Sequence, residues 1–146
     1  MDEKQRMNDS ERSTWDGKPI SAEAPFGATV IVRHRSDSEP RYLILHRAHA
    51  GENDDWAWTP PSGARFPSEP IDECARRELL EETGLTLEII KSEYGSEDWF
   101  VYIADYEAGS RIVLSNEHDH YEWVPIEQAI SRCRPERVTR PFRLLK

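Results

Sequence analysis

Residues 63–85 read GARFPSEPIDECARRELLEETGL, and this stretch decides the fold. Its second half, residues 71–83, is predicted to form an α-helix. Pro70 suits the first turn of a helix, and Gly84 suits the left-handed residue that follows a helix end. Four apolar residues fall on one side of this helix and predict the face that packs on a core: Ile71, Cys74, Ala75 and Leu79.

Three glutamates continue this inward face, although the charged residues of an amphipathic helix normally face solvent. Glu78 and Glu82 fall within the apolar stripe and Glu81 lies at its edge, so the three side chains are neighbours. Close carboxylates repel one another and resist burial as anions, so either their protons stay on or a cation lies among them. A hard divalent ion, Mg²⁺ or Mn²⁺, is the natural occupant. A solvated acidic helix end is the alternative that the spacing alone leaves open.

The fixed residues of the stretch supply a second argument. Every fixed position of the Nudix box is present: Gly63, Glu69, Arg77, Glu78, Leu79, Glu81, Glu82, Gly84 and Leu85. The chain therefore resembles Nudix hydrolases. The resemblance implies an α/β fold, the Nudix α/β/α sandwich, with a mixed β-sheet and one catalytic helix after the box loop. It also implies hydrolysis of a nucleoside diphosphate linked to another group.

The same resemblance implies a role for each box residue. The expected ligands of the Mg²⁺ or Mn²⁺ cofactor are Glu78, Glu81, Glu82 and the backbone carbonyl of Ser62. The expected catalytic residues of the box are Glu81 and Arg77, and Arg77 orients a box glutamate. The positions expected to hold the loop and helix in place are Gly63, Glu69 and Gly84.

A second informative stretch, residues 115–124, reads SNEHDHYEWV. It resembles the Glu-His…Tyr…Trp segment of the diadenosine tetraphosphate hydrolase branch of the family. The resemblance makes Glu117 the fourth carboxylate, as a metal ligand or as the general base for the attacking water, with Glu122 as its substitute. His118 is expected to contact the leaving phosphate, and a solvated rim histidine is the alternative.

Aromatic residues are the candidates for holding a nucleobase. Trp56 and Trp58 alternate in an extended, proline-rich approach to the box, where they either pack in the core or form a stacking platform. The resemblance favours Trp58 and Tyr102 as substrate-binding residues, because this branch carries a similar lead-in to the box and a base-stacking tyrosine. One departure is Ser62, where the branch usually has a lysine.

The chain is predicted to contain one domain, since 146 residues suit a single core. Residues 1–22 are assigned to an N-terminal tail, partly disordered, because its start is polar and lacks periodicity. Residues 23–146 are assigned to a single Nudix hydrolase domain with a basic C-terminal segment. Strands are expected at residues 27–34, 41–46, 85–90, 98–106 and 111–115, and a short helix at residues 126–133.

Charge and hydropathy restrict the partners. The formal net charge of −9 disfavours nucleic acid, with an RNA 5′ end as the exception, and no apolar run suits a membrane span. Two cysteines give no disulfide framework, so we expect a cytoplasmic protein. The resemblance implies a small-molecule nucleotide as the substrate, and a monomer or a homodimer is expected. The basic C-terminal segment is either a solvated tail or an arm that contacts substrate phosphates.

These observations predict a metal-dependent pyrophosphohydrolase that cleaves a phosphoanhydride bond. The downstream segment favours a dinucleoside polyphosphate such as diadenosine tetraphosphate as the substrate. The alternatives within the enzyme class are a nucleoside triphosphate, a nucleotide sugar or an RNA 5′ end. A Nudix domain that senses a nucleotide without cleaving it is the alternative outside that class.

Overall fold

The computed structural model describes residues 14, 17–35 and 38–146. Most of the predicted N-terminal tail, residues 1–13 and 15–16, lies outside the described residues. The described part of this tail is hydrogen-bonded to the box loop, since the N–H of Ser21 donates to the carbonyl oxygen of Arg65 at 2.7 Å. None of the helices in the described ranges combines the length and the apolar character that a membrane span requires.

A seven-stranded mixed sheet forms the centre of the fold. Its strands are β1 (Gly27–His34), β2 (Arg41–Arg47), β3 (Trp58–Thr59), β4 (Ser62–Ala64), β5 (Ile90–Lys91), β6 (Trp99–Asp105) and β7 (His118–Val124). The main path runs β3-β2-β1-β6-β5, while β4 pairs with β1 and β7 pairs with β2. β1 and β6 are parallel and the other pairs are antiparallel, so the connection between β1 and β6 leaves room for a crossover helix.

Three helices cover the two faces of this sheet. They are α1 (Ile71–Thr83), α2 (Ile126–Arg132) and α3 (Glu136–Leu145). The first core cluster joins Cys74 and Leu79 of α1 to one face, and the second joins Ala129 of α2 and Phe142 of α3 to the other. This arrangement confirms the predicted α/β/α sandwich.

The two residues predicted to mark the ends of α1, Pro70 and Gly84, lie at its ends, with one difference at Pro70. Gly84 has a φ of 75°, the left-handed conformation predicted for it, and its N–H donates to the Leu80 carbonyl at 2.8 Å. Pro70 has an extended ψ of 141°, so it precedes the helix and does not form part of its first turn. The apolar stripe is confirmed, since Cys74, Ala75 and Leu79 are buried.

Two predicted strands are wrong. In residues 85–90 the alternation is real, because Leu85 and Leu87 are buried in the core, but only Ile90 and Lys91 belong to a strand. Residues 111–115 form no strand; there the N–H of Val113 donates to the Thr83 carbonyl at 2.8 Å, beside the end of α1. In both segments, one-sided burial against the core produces the alternating pattern that hydrogen-bonded strands also show.

Candidate active site

Two glutamates of α1 are buried side by side. Glu78 is 8% exposed and Glu82 is 6% exposed, on the face of the helix that packs on the core. Burial raises the pKa of Glu78 to about 7, against the opposing effect of the Arg77 guanidinium. Burial also raises the pKa of Glu82 well above its usual range, and the negative charges of Glu78 and Glu117 raise it further. Holding two carboxylates together in a buried position therefore lowers the stability of the folded protein.

The box glycine leaves the space that this pair occupies. A Cβ atom on Gly63 would lie 2.0 Å from the carboxyl carbon of Glu78, which is far inside van der Waals contact. The N–H of Ser62 donates to Oε1 of Glu82 at 3.2 Å. Strand β4 holds both backbone positions against β1, where Ser62 pairs with Thr29. Close approach of backbone to carboxylate is thus built into the box loop.

Arg77 ties the carboxylates to that loop. Its guanidinium forms a bidentate ion pair with Glu69, with Nε 2.7 Å from Oε2 and Nη2 2.9 Å from Oε1. Nη1 donates to Oε2 of Glu78 at 2.7 Å, and Nη2 donates to the Ala64 carbonyl at 2.9 Å. The same guanidinium lies 3.9 Å from the centroid of the Phe66 ring. A planar, forked cation is suited to all of these contacts at once, and it fixes where the Glu78 carboxylate lies.

The structure brings some of the predicted carboxylates together and separates others. Glu117 lies close enough for its charge to act on Glu82. Glu81 is on the exposed side of α1, where its Oε1 is 3.3 Å from Nη1 of Arg77. Glu122 is ion-paired with Arg132 at 2.8 and 3.1 Å, and its role as a substitute base stays a prediction. The roles predicted for Glu81 and Glu117, and for the Ser62 carbonyl, stay predictions.

The donor set of this site fits a hard divalent cation. Glu78 and Glu82 offer carboxylate oxygens, and burial raises the pKa of both groups, so a bound cation would stabilise their charged forms. Oxygen ligands of this kind suit Mg²⁺ and Mn²⁺ and are unsuited to soft metals.

A cavity of about 680 Å³ opens beside the box loop, and the residues that line it include no box glutamate. It lies between the sheet and α3, on the face opposite α1, and Ser62 of β4 lines it. Aromatic side chains form much of its wall: Phe26, Trp56, Tyr94 and Trp99. The indole N–H of Trp99 donates to Oγ1 of Thr29 at 2.9 Å, which fixes its ring against the sheet. A cavity of this size with aromatic walls suits a nucleotide-sized ligand.

The structure corrects two predicted stacking residues. Trp58 is fully buried, with its ring centroid 4.2 Å from the Arg132 guanidinium carbon, so the core-packing alternative holds. Tyr102 is 5% exposed in the cluster beneath α1. Side chains alternate along β6, so Tyr102 points away from the cavity, whereas Trp99 and Val101 point into it. The sequence shows that β6 is rich in aromatic residues, but it does not show which side of the strand lines the cavity.

His118 and its neighbours also differ from expectation. His118 is 6% exposed, so it is not a solvated rim residue, and among the described residues its buried Nδ1 has no hydrogen-bond partner. Burial, with the Arg47 cation, lowers its pKa to about 4, and the predicted phosphate contact stays a prediction. In the described ranges, the group of three histidine and carboxylate side chains close enough to share a metal ion is His46, Asp119 and His120. This group includes none of the box glutamates, and Asp119 Oδ1 lies 2.8 Å from Nδ1 of His46 and 2.6 Å from Nδ1 of His120.

Comparisons with known proteins agree with this geometry. The family model described as the NUDIX domain matches residues 25–143. A mouse protein named bis(5′-nucleosyl)-tetraphosphatase [asymmetrical] is 36% identical, over 70% of this chain and 79% of that protein. Its rat counterpart is 34% identical over the same shares.

Solved structures share the fold. The C. elegans Ap4A hydrolase binary complex has a TM-score of 0.67 and 23% identity, covering 82% of this chain and 94% of that one. A Nudix hydrolase structure from Listeria monocytogenes has a TM-score of 0.69 and 24% identity, covering 83% and 91%. Nudix hydrolases use divalent metals, in accord with the buried carboxylates. The chain belongs to the Nudix family and is a hydrolase that acts on phosphoanhydride bonds.

Proposed function

We propose that this protein hydrolyses a dinucleoside polyphosphate, with diadenosine tetraphosphate as the reference substrate. The observation that carries the proposal is the connection, through Ser62, between the buried Glu78–Glu82 pair and a cavity of about 680 Å³ with aromatic walls. The 36% identity to a bis(5′-nucleosyl)-tetraphosphatase supports the choice within the family. A long, flexible nucleotide can place a base in the cavity while its phosphates reach the carboxylates.

Mg²⁺, or Mn²⁺ in its place, is the proposed cofactor. Glu78 and Glu82 would hold it, with Glu81 and the Ser62 carbonyl as the further predicted ligands. Once bound, it would offset the negative charge of the phosphates and make a bound water more acidic. Arg77 acts through Glu78, because its contact of 2.7 Å sets the direction of that carboxylate.

Glu117 is the proposed general base. Hydrolysis forms a bond between water oxygen and one phosphorus, breaks the bond from that phosphorus to a bridging oxygen, and releases the water proton to a base. Glu117 is half-buried, and it acts electrostatically on Glu82. Its side chain thus lies near the carboxylate pair, as a base for this water must.

A product-resolved hydrolysis panel tests the proposal. With Mg²⁺ present, the panel contains diadenosine tetraphosphate, a nucleoside triphosphate, ADP-ribose, another nucleotide sugar and RNA with a 5′ triphosphate. We expect ATP and AMP from diadenosine tetraphosphate at a rate well above the others. Glu82→Gln and Glu117→Gln should lower turnover by orders of magnitude, while Glu88→Gln, an exposed glutamate after α1, should leave it unchanged.

Other outcomes of the panel lead to different conclusions. Monophosphate and pyrophosphate from a triphosphate would keep the chemistry of the box and replace the substrate. Preference for the RNA with a 5′ triphosphate would support an RNA 5′ end as the substrate, the one nucleic-acid partner considered for this acidic chain. Tight binding of one compound without turnover of any would identify a nucleotide sensor and reject the enzyme mechanism.

A further inference from the structure

We propose that Arg137 and Arg140 of α3 form a phosphate-binding site in the wall of the cavity, opposite the strand wall. The site would take the part of a polyphosphate chain that lies beyond the bond being cleaved. Both residues line the cavity that Ser62 connects to the carboxylates. The inference rests on the proposed function for the identity of the substrate, but it concerns a binding site whose occupancy can be measured separately.

The helix places both cations on one side. Positions 137 and 140 are three residues apart, so their side chains are neighbours along α3. The opposite side of the helix is anchored in the core by Phe142, which is fully buried against Tyr42. Since that anchor fixes the rotation of α3, Arg137 and Arg140 are directed to the cavity and remain exposed.

Three other cations of this segment are ion-paired, whereas Arg134, like Arg137 and Arg140, forms no ion pair in the described ranges. Arg132 pairs with Glu122 at 2.8 Å, Arg143 with Glu136 at 3.1 Å, and Lys146 with Glu127 at 2.8 Å. Arg137 lies over the Trp56 ring, with its guanidinium carbon 5.7 Å from the ring centroid. Cations without acidic partners are available to an anionic ligand.

The acids of the cavity do not cancel this charge. Glu136 lines the cavity, but its carboxylate is already taken by Arg143. Asp98 belongs to the wall formed by the sheet, next to Trp99 at the start of β6. The wall formed by α3 is therefore positive in a chain whose net charge is −9. A locally positive surface on an acidic protein attracts an anion, and the planar guanidinium groups of arginine can donate two parallel hydrogen bonds to phosphate oxygens.

Binding of three probes tests this site without relying on turnover. Calorimetric titrations with inorganic tripolyphosphate and with adenosine use buffer containing EDTA, so that no metal ion bridges the anion. Arg137→Gln with Arg140→Gln should weaken tripolyphosphate binding about tenfold or more, because each lost contact is a hydrogen bond to a charged group. Adenosine, which has no phosphate, should bind the double variant as it binds the wild type. A third probe, inorganic phosphate, should show a smaller loss, since it spans fewer contacts.

A matched control separates local contact from net charge. The double variant Arg35→Gln with Arg111→Gln removes two positive charges from exposed positions outside the cavity, and it should keep the wild-type affinity for tripolyphosphate.

Kinetics give a second readout. For hydrolysis of diadenosine tetraphosphate, the double variant at Arg137 and Arg140 should have a KM about tenfold higher and a nearly unchanged kcat. This result is expected when the lost contacts bind the ground state and the transition state equally.

Equal tripolyphosphate affinity in wild type and double variant would overturn the site, and so would an equal loss in the control. The two proposals fail in distinguishable ways. If the wild type turns over no dinucleoside polyphosphate but tripolyphosphate binding still depends on Arg137 and Arg140, the substrate assignment falls and the phosphate site stands. If diadenosine tetraphosphate is cleaved with unchanged KM by the double variant, the substrate assignment stands and the phosphate site falls.

Discussion

Gly63→Ala adds one methyl group at the point where β4 meets the carboxylates of α1. The new Cβ would lie 2.0 Å from the carboxyl carbon of Glu78 and 2.2 and 2.4 Å from its two oxygens. Non-bonded heavy atoms separate to about 3.5 Å, so the carboxylate must retreat by roughly 1–1.5 Å. It cannot do so freely, because Arg77 holds Oε2 of Glu78 at 2.7 Å and is itself held by Glu69.

Two magnitudes follow from this overlap. Overpacking of a well-packed site costs about 1–3 kcal/mol of folding free energy, so the variant should remain folded. Displacement of a positioned catalytic group by about 1 Å costs roughly 100-fold in rate. We therefore expect kcat on the preferred substrate of the panel to fall roughly 100-fold at saturating Mg²⁺, with a normal far-UV circular dichroism spectrum.

The matched control is Gly51→Ala, in an exposed loop. There the nearest atom to an added Cβ is Oδ2 of Asp54 at 3.0 Å, at the end of an exposed side chain that can move. Its turnover should stay within about twofold of wild type, as for an ordinary surface change. Wild-type turnover in Gly63→Ala would refute the claim that the position of Glu78 matters. Complete unfolding would refute the estimated cost of overpacking.

Three further predictions concern the metal, the core and the thiols. Mg²⁺ at a hundredfold excess over its Kd should raise the Tm of the wild type by roughly 5–10 °C, and Glu82→Gln should abolish that rise; an equal rise in the variant would exclude Glu82 as a ligand. Phe142→Ala should lower the free energy of unfolding in urea by about 3–5 kcal/mol, because the ring is fully buried beneath α3, and a loss below about 1 kcal/mol would contradict that packing. Burial raises the pKa of Cys74 and of Cys133 to about 12, so a thiol reagent at pH 8 should label neither in the native protein and both in urea.

The sequence was most informative where the signal is local. The limits of α1 followed from Pro70 and Gly84, and the burial of Glu78 and Glu82 followed from their place on the apolar stripe. Each of these predictions depends on residues within a few turns of one helix, whose geometry is nearly fixed. β1 and β2 were predicted with similar success, because β-branched and apolar residues run continuously through both.

Predictions failed where the answer depends on distant partners. Trp58 and Tyr102 have the residue type of a stacking platform, but tertiary packing buries both, Trp58 in the second core cluster and Tyr102 in the first. Trp56 adopts a φ of 69°, which breaks the extended alternation that would have put it on the same side as Trp58. Trp56 and Trp99 line the cavity, and only the tertiary arrangement of sheet and α3 reveals that.

The basic C-terminal segment illustrates the same limit. Its composition left two alternatives open, a solvated tail and an arm that contacts phosphates. The structure makes it a helix with one fully buried aromatic residue and two cavity-facing arginines, a division that its 3.6-residue period allows. The sequence does not show which arginines form ion pairs, because pairing depends on where the fold places each side chain: Arg132 pairs with Glu122 and Arg143 with Glu136.

The shared position of Ser62 has a consequence for protein engineering. The carboxylates of α1 and the cavity wall supplied by α3 come from segments that are far apart in sequence, and Ser62 contacts Glu82 and also lines the cavity. Libraries that diversify positions 137 and 140 should therefore alter which nucleotides are accepted while the hydrolytic apparatus stays intact. Position 62 is the poor choice for such a library, since a change there alters recognition and chemistry together.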